Sequence, residues 1–195
     1  GVIVTNPLTG ETEYFDYLDA PTWINHIIPE EIIVEQLSYW GNYVHGFFNS
    51  IFAKKDVLEV STGLNYILSN GNMYLQTGMT SVGGDESIVG VMMVDMRTKD
   101  AFFYRIGGAT EYAAAQSAIG KDQEKRYTAS DPIMLNMDGI PTYFVMLKDD
   151  EGLVKRYAYV NVSDYRLVAT ADNKTEALIE YKKLININTG DESET

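Results

Sequence analysis

A strand–turn–strand pattern that recurs along the chain limits what this sequence can fold into more than any other feature. It reads GVIVTNPLTGETEYF over residues 1–15, GVMMVDMRTKDAFFY over 90–104 and, more faintly, AYVNVSDYRLVAT over 158–170. In the first copy Val and Ile precede the turn and Tyr and Phe follow it, and these residues suit a pleated, half-buried surface. Asn6, Asp95 and Asn161 hold the same place in the three turns. Each carries a side-chain oxygen that can accept a backbone N–H two residues on. Gly10 can take the left-handed conformation that closes a short hairpin. Lys99 and Tyr165 stand in its place later, so those two turns are expected to close differently.

Two further dipeptides, Asn70-Gly71 and Asp138-Gly139, are strong signals for two-residue hairpins. They lie 68 residues apart, and Asp95 and Asn161 lie 66 apart. Agreement between independent landmarks predicts a repeated unit of strand, turn, strand, loop, strand, turn, strand, helix. The first copy shows only its last two strands and its helix, as in a unit cut short at its front. The expected partition is a truncated unit over 1–56, a second unit over 57–125, a third over 126–188 and a disordered acidic tail over 189–195.

The helices have their own signals. Pro29, Glu30 and Glu31 form an entrance, because proline fits the first turn and carboxylates favour the positive end of the helix dipole. Apolar residues follow at Ile32, Ile33, Leu37, Trp40, Val44, Phe47, Phe48 and Ile51, with Lys54 and Lys55 at the expected end. Gly41 and Gly46 interrupt that rod. Residues 57–61 and 64–69 read as two separate strands, and Gly83-Gly84-Asp85 as a loop. An Ala-rich helix over 110–119 is capped by Thr110. Asp172 or Asn173 caps a closing helix, and Asn173 with Glu176 makes a capping box. Its apolar face is Ala177, Leu178, Tyr181, Leu184 and Ile185. The expected class is therefore α+β, with tandem units in which antiparallel sheets each pack against a helix.

The formal net charge of −13 argues against a nucleic-acid surface, which needs Lys and Arg to displace counterions. Cysteine is absent, which removes disulfides and thiolate metal sites. No apolar run reaches the length of about eighteen residues that a membrane helix needs, so direct membrane insertion is not expected. His26 and His45 lie nineteen apart with a proline between them, unlike a helical zinc pair. Two acidic clusters, Glu11/Glu13/Asp16/Asp19 and Asp149/Asp150/Glu151, read as solvated turns and strand faces. The second lacks the ligand spacing of a calcium loop. Gly-x-Ser-x-Gly and phosphate-loop patterns are missing. Asn161-Val-Ser163 and Asn173-Lys-Thr175 match the glycosylation sequon, a pattern common by chance. No catalytic, cofactor-binding or metal-binding residue is assigned, and no cofactor is expected. Among the aromatics Tyr39, Trp40, Tyr43, Phe47, Phe48 and Phe52, the core is expected to take Trp40, Phe47 and Phe48. Tyr39 and Tyr43 are left outside and, with Trp23, form a candidate contact patch.

The strand–turn–strand segments at 4–11 (VTNPLTGE) and 94–100 (VDMRTKD) resemble the closing hairpin of PepSY-like modules, and the strand order after Tyr143 is similar. The whole chain is similar to the C-terminal part of large uncharacterised bacterial proteins with hydrophobic N-terminal segments. The resemblance implies a bacterial envelope setting, on the extracytoplasmic side of a membrane-anchored parent, with the cytoplasm as the alternative. It also implies a non-catalytic module whose partner is a protein or a neighbouring domain of the same parent. Two other readings accompany it: a regulator or inhibitor of a partner hydrolase, and an enzyme acting on glycans through paired carboxylates.

Overall fold

The computed structural model describes residues 1–46, 50–51, 57–81 and 87–191, without the side chains of residue 124 and residues 187–191. Phe47, Phe48, Phe52, Lys54-Lys55, the Gly83-Gly84-Asp85 loop and the end of the acidic tail lie outside the described residues. The fold is α+β, with three α-helices and antiparallel sheets among the described residues. Strands β1 (Val2–Thr5) and β2 (Thr12–Phe15) form a two-stranded hairpin of their own. Helix α1 (Glu30–Tyr43) follows. The middle sheet then runs as a meander: β3 (Leu58–Ser69), β4 (Asn72–Ser81), β5 (Ser87–Asp95) and β6 (Ala101–Tyr104). A short β7 (Gly108–Ala109) pairs back with β5. Helix α2 (Glu111–Lys121) leads to the C-terminal sheet. Its strands are β8 (Thr128–Ala129), β9 (Ile133–Met137), β10 (Ile140–Lys148), β11 (Val154–Asn161) and β12 (Val168–Ala171). Here too β9 to β12 pair in chain order, and β8 adds beside β10. Helix α3 (Lys174–Asp191) closes the chain and takes in the start of the expected tail.

The turns carry the expected chemistry. Asn70 and Gly71 have φ of 51° and 83°, Asp138 and Gly139 have 56° and 90°, and each pair bridges adjacent ladder partners. That is the mirror-image turn whose twist matches the strands. In the first recurring turn Asn6 Oδ1 accepts the N–H of Leu8 at 2.9 Å. In the second Asp95 Oδ1 accepts from Arg97 at 2.8 Å and Thr98 at 3.0 Å. In the third Asn161 Oδ1 accepts from Asp164 at 2.9 Å.

One expectation about these turns needs correction. Lys99 does not close its loop differently. It takes φ of 67° where Gly10 has 76°, and Lys99 N donates to Asp95 O as Gly10 N donates to Asn6 O. The hydrogen bonds of the turn hold a lysine in the left-handed region despite its Cβ. The third loop is one residue longer, with Asn161 N bonded to Leu167 O, and Tyr165 has no such strain.

Residues 57–61 and 64–69 also form one strand rather than two. A bulge between Val60 and Leu64 sets three residues of β3 against Gly78 of β4, so the pairing resumes beyond it. The interruption at Thr62-Gly63 is a kink in one element.

Among the described residues, three cores join the parts. Ile33 and Leu37 of α1 pack on Leu75, Met79, Met92 and Val94 of the middle sheet. Gly41, one turn further along the same helix face, allows close approach: a Cβ there would strike the Leu58 carbonyl. The small Ala114 and Ala118 of α2 sit with Ile88 and Val91 of the middle sheet and with Tyr143, Val145, Leu147, Ala158 and Val160 of the C-terminal sheet. The opposite face of that sheet, with Tyr159, Ala169 and Ala171, meets Ala177, Tyr181 and Ile185 of α3. The expected boundary after residue 56 thus falls between α1 and the sheet it covers. Each meander packs against the helix that precedes it, and the C-terminal sheet takes a second helix after it.

Candidate interaction surface

The segment between β2 and α1 is irregular but anchored. The Arg97 guanidinium donates to the carbonyls of Ala20, Pro21 and Ile24, at 3.0 Å for the last two. Ile27 N and Ile28 N both donate to Met96 O. A side chain with five donors in a fixed fork suits this work, because it satisfies carbonyls that no secondary structure reaches.

The anchored segment presents Trp23 to solvent, 70 % exposed. On α1, Tyr39 and Tyr43 are 56 % and 47 % exposed, and their rings stack with centroids 6.4 Å apart. The helix sets them there, since residues four apart share a face. The Tyr39 hydroxyl donates to Glu35 Oε1 at 3.1 Å, which fixes the ring and raises its pKa. Among the described residues no ring contact joins Trp23 to this pair. Trp40 lies at the rim of the core, against Phe103 at 5.6 Å. Beside it a cavity of about 260 Å³ has Ile33, Leu37, Met92, Lys99 and Phe103 in its lining.

The histidines and acidic clusters do not converge. Among the described residues no group of three His, Asp or Glu side chains has the geometry to hold a metal ion. His26 lies against the Tyr66 ring at 5.5 Å, and the Tyr66 hydroxyl donates to Glu30. That bond and partial burial push Tyr66 up to about 12. These groups share a shallow, open depression with Glu31. His45 is exposed at the end of α1. Asp149 ties its own turn, accepting from Glu151 N at 3.0 Å and Leu153 N at 2.9 Å, and pairs with Lys155 at 3.1 Å. Of the sequon residues, Asn161 is buried in its turn and Asn173 caps α3 through Glu176 N at 2.9 Å.

One buried carboxylate was not singled out from the sequence. Glu111, in the first turn of α2, is only 5 % exposed. Its Oε1 accepts from Gly78 N at 2.8 Å and its Oε2 from Ser61 Oγ at 2.5 Å. A Cβ at Gly63 or Gly78 would stand 2.7 Å from this side chain, so both glycines make room for it. Two strand glycines near a bulge were the available signal. Nearby, the buried Tyr143 hydroxyl donates to Ala109 O at 3.0 Å. Burial, with some help from the Glu111 charge, pushes its pKa well up.

The opening hairpin adds a second exposed apolar area. Ile3 and Tyr14, opposite each other across the ladder, are 70 % and 64 % exposed. Comparison with protein-family models, curated proteins and solved structures finds no match.

Proposed function

We propose that this chain is a non-catalytic interaction module of a larger bacterial envelope-associated protein, built from tandem PepSY-like units, and that it binds a protein partner or a neighbouring domain. The observation that carries this reading is that Trp23, Tyr39 and Tyr43 are left in water. Folding does not need them there. Aromatics that are ordered but exposed are the usual anchors of protein contacts. The tandem reading draws support from the two meanders, each following a helix and each with its two-residue hairpin and side-chain-closed turn.

The test is a triple variant, Trp23→Ala with Tyr39→Ser and Tyr43→Ser, expressed in the native parent. Stability should stay within about 0.5 kcal/mol, as for surface changes generally. The parent's complex on native gels should lose mass. An unchanged complex would sink the reading.

A further inference from the structure

The chain contains the same hairpin twice, once covered and once bare. In β1–β2 and β5–β6 the turns share their bonds: Asn6 N to Glu11 O matches Asp95 N to Asp100 O, at 2.8 and 2.9 Å. Thr9 and Thr98 bond the next acidic residue, Glu11 and Asp100, in the same way. The ladders agree as well, with Ile3 opposite Tyr14 where Met92 is opposite Phe103. Even the glycines correspond, since a Cβ at Gly1 would strike the Tyr14 ring and one at Gly90 the Phe103 ring.

In the covered copy, Met92 lies under Ile33 and Leu37 of α1, and Phe103 packs on Trp40. In the bare copy the equivalent pair, Ile3 and Tyr14, faces water. A lone two-stranded hairpin is marginal in water and gains stability from a packed face. The charges differ in an informative way. The covered hairpin carries Arg97, Lys99 and Arg105 beside Asp95 and Asp100, and its helix carries Glu30, Glu31 and Glu35. The bare hairpin carries Glu11, Glu13 and Asp16, and no Lys or Arg occurs before Lys54.

We propose that the Ile3/Tyr14 face of the β1–β2 hairpin docks an amphipathic helix of a partner protein, apolar at i, i+4 and i+7 like Ile33, Leu37 and Trp40, and flanked by Lys or Arg. Opposite charge sets partner choice where like charge would repel. The proposal rests on the interaction-module reading, but it concerns a different face from Trp23, Tyr39 and Tyr43.

The test is an NMR titration of the full ¹⁵N-labelled chain with two stapled helical peptides. One has the sequence of residues 30–43; the other has the same sequence with Glu30→Lys, Glu31→Lys and Glu35→Lys. The basic peptide should shift the amides of Ile3 and Tyr14 and bind at least about tenfold more tightly than the acidic one, with the difference shrinking in salt. Ile3→Ser should abolish the shifts while the remaining β1–β2 amides keep strand values; Ile179→Ser, on exposed α3 surface, should not. Absent shifts, equal affinity for the two peptides, or shifts that survive Ile3→Ser would overturn the proposal. So would concentration-dependent shifts of Ile3 in the chain alone, which would mark a contact between copies. None of these outcomes depends on the Trp23 variants, so the two readings fail separately.

Discussion

Glu111 Oε1 accepts the backbone N–H of Gly78 at 2.8 Å, in the gap where the bulge of β3 leaves that amide without a strand partner. A helix residue thereby completes the hydrogen bonding of a sheet 33 positions earlier. The contact ties α2, which belongs to the core of the C-terminal sheet, to the middle sheet. Glu111→Ala should cost about 1–3 kcal/mol, the cost of leaving a buried donor unpaired. Glu111→Gln keeps an acceptor for Gly78 and should cost less. Gly63→Ala should also destabilise, because its Cβ would press on the Glu111 side chain. Urea unfolding midpoints check all three.

Lys99 pays for its left-handed backbone, and its equivalent Gly10 does not. Lys99→Gly should stabilise the chain by about 0.5–1 kcal/mol, the relief of a Cβ clash less the added freedom of the unfolded chain. Gly10→Lys should shift stability the other way. Thermal unfolding of the two single variants compares them directly.

Asp149 is held below the ordinary carboxylate range. Desolvation pulls the other way, but is outweighed by the Leu153 and Glu151 amides and by Lys155. A depressed folded pKa contributes stability that is fully present above the unfolded value of about 3.9 and is lost as pH falls through the folded one. Asp149→Asn should therefore flatten the acid limb of the stability curve below about pH 4. Urea midpoints from pH 5 to pH 2.5 measure it.

Tyr66 should resist ionisation although its ring is largely exposed. Its hydrogen bond to Glu30 comes first among the causes that push it up to about 12. The raised pKa contributes stability below the ordinary tyrosine value near 10, which is lost as pH rises through the folded value. Tyrosinate absorbance should show Tyr66 among the late-titrating rings, with Tyr39 and the buried Tyr143, and Glu30→Gln should move one of these rings back toward 10. An unchanged profile in that variant would contradict the assignment.

Much of this architecture can be read from the residues that fix backbone angles. Asn70-Gly71, Asp138-Gly139, Asn6 and Asp95 specify their turns locally, so no tertiary information is needed to place them. Thr110 and Asn173 mark their helices for the same reason. The pairing of helices with sheets is not local. Ile33 and Leu37 do not name the sheet they cover; the close approach at Gly41 and the ties of Ile27 and Ile28 to Met96 accompany the choice of the middle one. The bulge at residues 61–63 hid the continuity of β3, and with it the role of Glu111. Tyr39 and Tyr43 are exposed as their helical spacing suggested, and Trp23 is exposed on the irregular segment before α1, but the bare Ile3/Tyr14 face became visible only beside its covered counterpart.

Among the described residues, six of the eight ladders in the two large sheets join strands that are neighbours in the chain. Such local pairing closes quickly and suits a polypeptide emerging from the ribosome from its N-terminal end. The middle meander can assemble while the last third is still being synthesised. The core around Ala114 and Ala118 cannot, since it needs Ile88 and Val91 from one sheet and Tyr143 and Val160 from the other. Its closure waits for β10 and β11, and α3, synthesised later still, then seals the opposite face of the same sheet.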